Sequence, residues 1–385
     1  MNQRQYVSTL ALSLRIRAGA WRAVGLPVGM PVGMPVRMPV RMPVGMLVVL
    51  MVSLALLWGQ SFPALAETPK ISTRWPIEGA GGWDYLTVDS AHSRLYVSRA
   101  DHVDVVDTQS GKVMAVIQET QGVHGVAIAA DLGVGFVSNG RNNNVSVFEL
   151  KNSTRIQDVP VEGVNPDAIL YEASTQQLYT FNGKSQDVSV LDAKTYAIKA
   201  HIKVPGKPEF AQTDNAGHVY VNIETEPGQL VRIDSKSLTI DATWPLTGCN
   251  SPTGLSLDNK HHRLFSVCDD KVMVVTDAQS GKQVAKVTIG TGPDAVGYDA
   301  KHQRVYVSNG QGTLSIIAQK DADHYEVLPE LATERGARTL ALDESSGKIF
   351  SITAQFVPAE PSPSNPKGRP QVVPGSIHLL VIDTH

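Results

Sequence analysis

Arg304-Val305-Tyr306-Val307-Ser308-Asn309-Gly310 (RVYVSNG) is the stretch on which the fold turns. It is an aromatic inside a short β-branched run, closed by Asn-Gly. Working outward, the same pattern returns as RLYVS around Tyr96, GFVSNG around Phe136, QLYTFNG around Tyr179 and HVYVN around Tyr220. It returns again as RLFSV around Phe265 and KIFSI around Phe350. The seven aromatics are 40, 43, 41, 45, 41 and 44 residues apart. A period of that size fits a four-stranded propeller blade and is longer than a leucine-rich or ankyrin unit.

Each unit repeats one internal grammar. A short strand ends in Asp and a polar turn, as in Leu86–Asp89, Leu255–Asp258 and Leu340–Asp343. The aromatic strand follows. A third strand often closes on Asp, as in Val103–Asp107, Val188–Asp192, Leu230–Asp234, Val272–Asp277 and Ile377–Asp383. A turn such as Gln109-Ser110-Gly111-Lys112 then leads to a fourth strand. Alternation with period two and β-branched enrichment identify strands, and no helical stripe competes with them. The fold class is therefore all-β: a seven-bladed β-propeller of four-stranded antiparallel blades. Only two residues follow Asp383, so the last unit lacks its fourth strand. Ile71–Ile77 precedes the first unit and is expected to join the last blade as an N-terminal closing strand.

Residues 1–66 read differently. They hold six Arg and no acid, and an apolar run Leu47–Trp58 leads to Ala64-Leu65-Ala66 just before Glu67, the first carboxylate. A basic region, a short apolar stretch and a small-residue end predict a secretory signal cut after Ala66. The apolar run is too short for a membrane span, which needs about 20 residues. Residues 27–46 repeat PVGM or PVRM every four residues, a low-complexity leader in which Pro forbids a helix. A functional start at Met42 or Met46 is the other reading of this leader. Residues 67–385 then form a single propeller domain, expected to be periplasmic or secreted and to act as a monomer.

The charge balance changes with that division. The whole chain carries −3, but residues 67–385 keep 28 basic residues against 37 acids, or −9. An acidic surface opposes nucleic-acid binding, because phosphate contacts need Lys and Arg. Two Cys exclude a disulfide-dense scaffold and a four-thiolate metal centre. Cys249 precedes the first strand of the fifth unit and Cys268 ends its second strand. Antiparallel pairing brings them together, and export makes a disulfide the expected state.

Tyr306–Asn309 (YVSN) and Phe136–Asn139 (FVSN), with YVSR at Tyr96–Arg99 and YVNI at Tyr220–Ile223, resemble the YVTN-type repeats of secreted bacterial seven-bladed propellers, including YncE-like proteins. The resemblance covers residues 67–385. It implies the fold and leaves the function open: single-stranded DNA binding is attributed to YncE-like members, and lactonase activity to related propellers. It carries no catalytic residue over to this chain.

In a propeller the lead-ins to the first strands converge on the axial funnel. Aligned, they are Trp83-Asp84, Val123-His124, Pro166-Asp167, Pro208-Glu209, Pro252-Thr253, Pro293-Asp294 and Ala337-Arg338. The second member is polar in every unit. Asp84, His124, Asp167, Glu209, Thr253, Asp294 and Arg338 are thus expected to ring the channel mouth as a ligand site. Asp84, His124, Asp167, Glu209 and Asp294 are candidates for a divalent metal. The opposing reading is that Asp beside Pro or Asn caps its own turn. Between Phe356 and Ser376 six Pro mark an extended insertion on the funnel face, either a partial lid or a tolerated surface segment.

No GxSxG, HExxH, CxxCH or phosphate-loop signature occurs. The pattern favours an exported binding or scaffold protein that takes a small ligand, metal or protein partner at the funnel. The alternative is a metal-dependent, lactonase-like hydrolase that activates water with the acid–His ring. Single-stranded DNA binding ranks third, on the charge argument.

Overall fold

The computed structural model describes residues 68–361, 368 and 370–385. The signal segment inferred for residues 1–66 lies outside them. Seven four-stranded antiparallel sheets make up the described chain, accompanied by two 3-10 turns, Ser90–His92 and Ala130–Leu132. Among the described residues no helix is long and apolar enough to cross a membrane. The first strands of blades 1 to 7 are Trp83–Asp89, Val123–Ala129, Pro166–Glu172, Lys207–Thr213, Pro252–Asp258, Pro293–Asp299 and Leu340–Asp343. Blades 1 to 6 follow chain order. In blade 7 the strand order is Lys70–Pro76, His378–Asp383, Lys348–Thr353, Leu340–Asp343. Its outer strand, Lys70–Pro76, pairs antiparallel with His378–Asp383, from Lys70 opposite Asp383 to Pro76 opposite His378.

The core lies between blades rather than at the axis. Each of seven apolar clusters joins one adjacent pair; one of them packs Tyr96, Val105 and Ile117 of blade 1 against Val126, Val137 and Phe148 of blade 2. The second and third strands of a blade are therefore covered on both faces. That is why Val305–Asn309 is buried without a break, whereas the outer strand Thr239–Pro245 alternates between exposed and half-buried positions.

Each letter of the repeated motif has a distinct task. The aromatic is buried in every blade, with at most 3% of its surface exposed. In blades 2, 4 and 6 the polar residue two positions on reaches the next blade. Ser138 Oγ donates to the carbonyl of Asp167 at 2.6 Å and accepts from Gly125 N at 3.0 Å. Asn222 Nδ2 donates to the carbonyl of Thr253 at 3.0 Å, and Ser308 donates to the carbonyl of Arg338. The closing Asn fixes the start of the third strand: Asn309 Nδ2 donates to Thr313 Oγ1 at 3.0 Å and Ser315 Oγ at 2.9 Å. Asn139 and Asn182 do the same in blades 2 and 3. Gly290 is needed for this, since a Cβ there would stand 2.5 Å from Asn309 Nδ2.

Blade 1 carries Arg99 in place of that Asn. A charge at the end of a strand reads from the sequence as exposed, but the structure buries Arg99 completely. Its guanidinium pairs with Asp104 at 2.9 Å and donates to the carbonyls of Glu78, Ala80 and Gly82. It anchors the chain between the outer strand of blade 7 and the start of blade 1. The two cysteines form a disulfide, Cys249–Cys268, at the funnel end of blade 5, where Pro252 lies opposite Cys268.

Two outcomes follow. Ser138→Ala removes a buried hydroxyl that serves two backbone groups, and is expected to cost about 1–3 kcal/mol in urea unfolding. An unchanged midpoint would show that the contact between blades 2 and 3 does not need it. Cys249→Ala paired with Cys268→Ala opens a short loop and is expected to cost about 3 kcal/mol; wild-type protein with two titratable thiols would refute the bridge.

Candidate functional site

Every lead-in residue of blades 1 to 6 sits at a break in strand register. The pairing of first and second strands slips between Trp83 and Leu86, Val123 and Val126, Pro166 and Ile169, Pro208 and Ala211, Pro252 and Leu255, and Pro293 and Ala295. A bulge inserts an extra residue on one strand and re-aims its side chain. Here the re-aimed positions are Asp84, His124, Asp167, Glu209, Thr253 and Asp294. Arg338 precedes Leu340, the start of the short first strand of blade 7.

The structure brings these groups to one axial mouth. His124 Nδ1 is 2.6 Å from Asp84 Oδ2 and 3.5 Å from Asp167 Oδ1. One oxygen of Asp84, one ring nitrogen of His124 and one oxygen of Asp167 all lie within 4.8 Å of one another. Asp294 lies 3.7 Å from Arg338 Nε. Glu209 is bonded to Lys207, which also holds Glu224 at 2.6 Å. Thr253 departs from the ring: its hydroxyl lies 3.3–3.4 Å from the carbonyls of Pro293 and Val267, so it serves the backbone of neighbouring strands.

Three groups absent from the aligned column complete the mouth. Lys207 stands opposite Glu224 in blade 4 and bridges Glu224 and Glu209. Tyr85 follows Asp84 and points its hydroxyl toward Glu209 at 3.4 Å. Its ring meets Phe210 edge-on, with centroids 5.3 Å apart. The column one position beyond the ring reads Tyr85, Gly125, Ala168, Phe210, Gly254, Ala295 and Thr339. Its two aromatics fill the axis where the other blades bring small residues. Phe210 also lines a cavity of ≈ 500 Å³ on the far side, with Thr87, Gln212, Ser256 and Glu344.

Crowding sets the protonation of the acids. Burial, reinforced by Asp167, pushes Glu209 up to about 8 despite the attraction of Lys207. Burial pushes Asp294 up to about 6, with Arg338 pulling the other way. Asp167 is raised by burial and by Asp84, against the pull of His124. Burial pulls His124 down, but the hydrogen bond to Asp84 and the charge of Asp167 outweigh it and leave it raised. Tyr85 is held far above its ordinary value by burial and by the surrounding carboxylates.

Two short strands of the blade 7 insertion, Phe356–Val357 and Gln371–Val372, pair antiparallel. Phe356 packs beside Trp83, with ring centroids 6.3 Å apart. The insertion thus abuts the residue next to Asp84, at the rim of the mouth.

An axially convergent polar site on seven radial sheets defines the class: a seven-bladed β-propeller with an acidic funnel. More particularly, the chain is similar to YncE proteins. It is 28% identical over 204 residues to the uncharacterized protein YncE of Salmonella typhi and 27% identical to that of Salmonella typhimurium. The match spans 51% of this chain and 56% of each relative. No family model matches the chain. The WD40 repeats of RRP9 superpose with a TM-score of 0.68 at 12% identity, covering 82% of this chain and 99% of that one. U3-55K does so at 0.67 and 12%, covering 81% and 99%, and Kuenenia stuttgartiensis hydrazine synthase at 0.63 and 14%, covering 71% and 94%. At such identities the likeness is one of fold alone.

The raised acid of Glu209 has a measurable consequence. Its folded value of about 8 lies above the ordinary glutamate value, so the native state holds this proton more tightly than the unfolded chain. Stability is then expected to fall as pH rises from about 4.5 to about 8. Glu209→Gln removes this titration, and its stability profile should be flatter across that window. A variant as steep as wild type would place the titration elsewhere.

Proposed function

We propose that this chain is an exported binding propeller whose funnel takes a divalent metal ion on Asp84, His124 and Asp167. The observation that carries the reading is the clustering of two carboxylate oxygens and one imidazole nitrogen within 4.8 Å of one another at the axis. An oxygen–nitrogen donor set of this kind suits Zn²⁺ or Mn²⁺; Ca²⁺ prefers more oxygens. Glu209 and Asp294 are paired with Lys207 and Arg338. They surround the ion rather than hold it. Export is supported by the disulfide and by the likeness to YncE proteins.

A second reading, metal-assisted hydrolysis, draws on one observation. Glu209, poised near 8 beside this cluster, has the proton affinity of a general acid or base. What favours binding is that Glu209 is already engaged by Lys207 and faces Tyr85.

Titration calorimetry with Zn²⁺ and Mn²⁺ on the purified protein is expected to show one bound ion. Asp84→Asn and Asp167→Asn should each weaken it by at least about 10-fold, while Asp294→Asn, outside the donor set, should have a smaller effect. Wild-type protein that takes up neither metal overturns the reading. Hydrolysis of a lactone panel that is lost in Glu209→Gln would promote the enzymatic alternative.

A further inference from the structure

We infer that a second ligand site lies beside the first: the pocket between blades 2 and 3 takes a small anionic group, a carboxylate or a phosphate, against Nε2 of His124. The two nitrogens of this imidazole face different surroundings. Nδ1 belongs to the cluster with Asp84 and Asp167. Nε2 has no hydrogen-bond partner among the described residues and faces Gly140, where a Cβ would stand only 2.6 Å away. On that side is a cavity of ≈ 400 Å³ lined by His124, Gly140, Arg141, Asn165 and Lys184 among others, with no carboxylate in its wall.

Asn139-Gly140 looks like a turn signal, and glycine there would ordinarily be explained by backbone freedom. The structure gives a different reason. Gly140 is not among the glycines with positive φ, so the backbone does not require glycine at this position. The space beside the imidazole does. Gly183, the equivalent in blade 3, would carry a Cβ with only ordinary contacts, the closest at 3.4 Å.

The walls are fixed before any ligand arrives. Gly140 N donates to Gly122 O at 2.9 Å, Gly183 N to Asn165 O at 2.9 Å and Lys184 N to Val164 O at 3.2 Å. Asn165 N donates across the blade boundary to Asn143 Oδ1 at 2.8 Å. The cations at the rim carry no ion pair within 4 Å among the described residues, although Asp101, held low chiefly by its hydrogen bond to His102, is lowered by Arg141 as well. The closest partner of the Arg141 guanidinium is the neutral amide oxygen of Gln121 at 3.5 Å, and Arg141 and Lys184 are both exposed. Elsewhere at the mouth the cations are engaged, Lys207 by two glutamates and Arg338 by Asp294. Arg141 and Lys184 bring a guanidinium and an ammonium to one cavity with no carboxylate in its wall, and an oxyanion pairs with such donors. With a metal on Nδ1, the proton stands on Nε2 and faces the pocket, so the two sites are compatible.

The test uses metal-free protein with ¹⁵N-labelled histidine, titrated separately with inorganic phosphate and acetate at constant ionic strength, with chloride as the control. A saturable shift at His124 Nε2 is expected with at least one probe. Phosphate alone assigns a phosphate ligand, acetate alone a carboxylate, and both assign a general oxyanion site. Gly140→Ala should abolish the shift, and Arg141→Ala with Lys184→Ala should weaken binding by at least about 10-fold while leaving Zn²⁺ uptake unchanged. The proposal is overturned by the absence of a saturable shift, by an equal response to chloride, or by wild-type affinity in the double variant. Because neither Arg141 nor Lys184 is a metal donor, loss of this site and loss of the metal site are read independently.

Discussion

At three blade boundaries one contact ties core to mouth: the buried side chain of a second strand bonded to the backbone carbonyl of the next blade's lead-in residue. Ser138 holds Asp167 in this way, Asn222 holds Thr253 and Ser308 holds Arg338. Asp167 and Thr253 are displaced by a bulge and Arg338 lies ahead of its strand, so their carbonyls stand outside the regular ladder and need another donor. A buried hydroxyl or amide from the neighbouring sheet supplies it. The same hydrogen bond therefore sets the spacing between blades and the direction in which a funnel side chain points. Core and site are coupled through it, and changing the second strand moves the mouth.

That coupling explains how much could be read in advance. The seven blades were legible because the aromatic at Tyr96, Phe136, Tyr179 and their equivalents must be buried in every unit, which forces the repeat into the sequence. The ring was legible because Asp84, His124, Asp167 and Asp294 occupy one column. Thr253 occupies the same column but turns to the backbone, since a hydroxyl can satisfy carbonyls and a carboxylate cannot. Lys207, Glu224 and Tyr85 were missed because each belongs to a single blade and matters only through contacts with its neighbours. Arg99 was misplaced because a charge at a strand end reads as exposed. Its burial rests on Asp104 and on three carbonyls of a segment with no counterpart in the other blades.

Electrostatics at the mouth follows from confinement. Four carboxylates brought to one axis cannot all stay ionised without cations, and the structure answers in two ways. Lys207 and Arg338 neutralise some of the charge, while protons held by Glu209 and Asp294 neutralise more. A cation arriving at Asp84 and Asp167 would meet partly protonated neighbours and release protons as it bound.

The pair Tyr85 and Phe210 changes what the axis is made of. Meeting edge-on across it, the two rings narrow the path between the acidic mouth and the cavity on the far side. At the rim the blade 7 hairpin leans on Trp83 beside the opening. Whatever is held by the charged groups of the mouth therefore meets aromatic surface both beneath it and beside it.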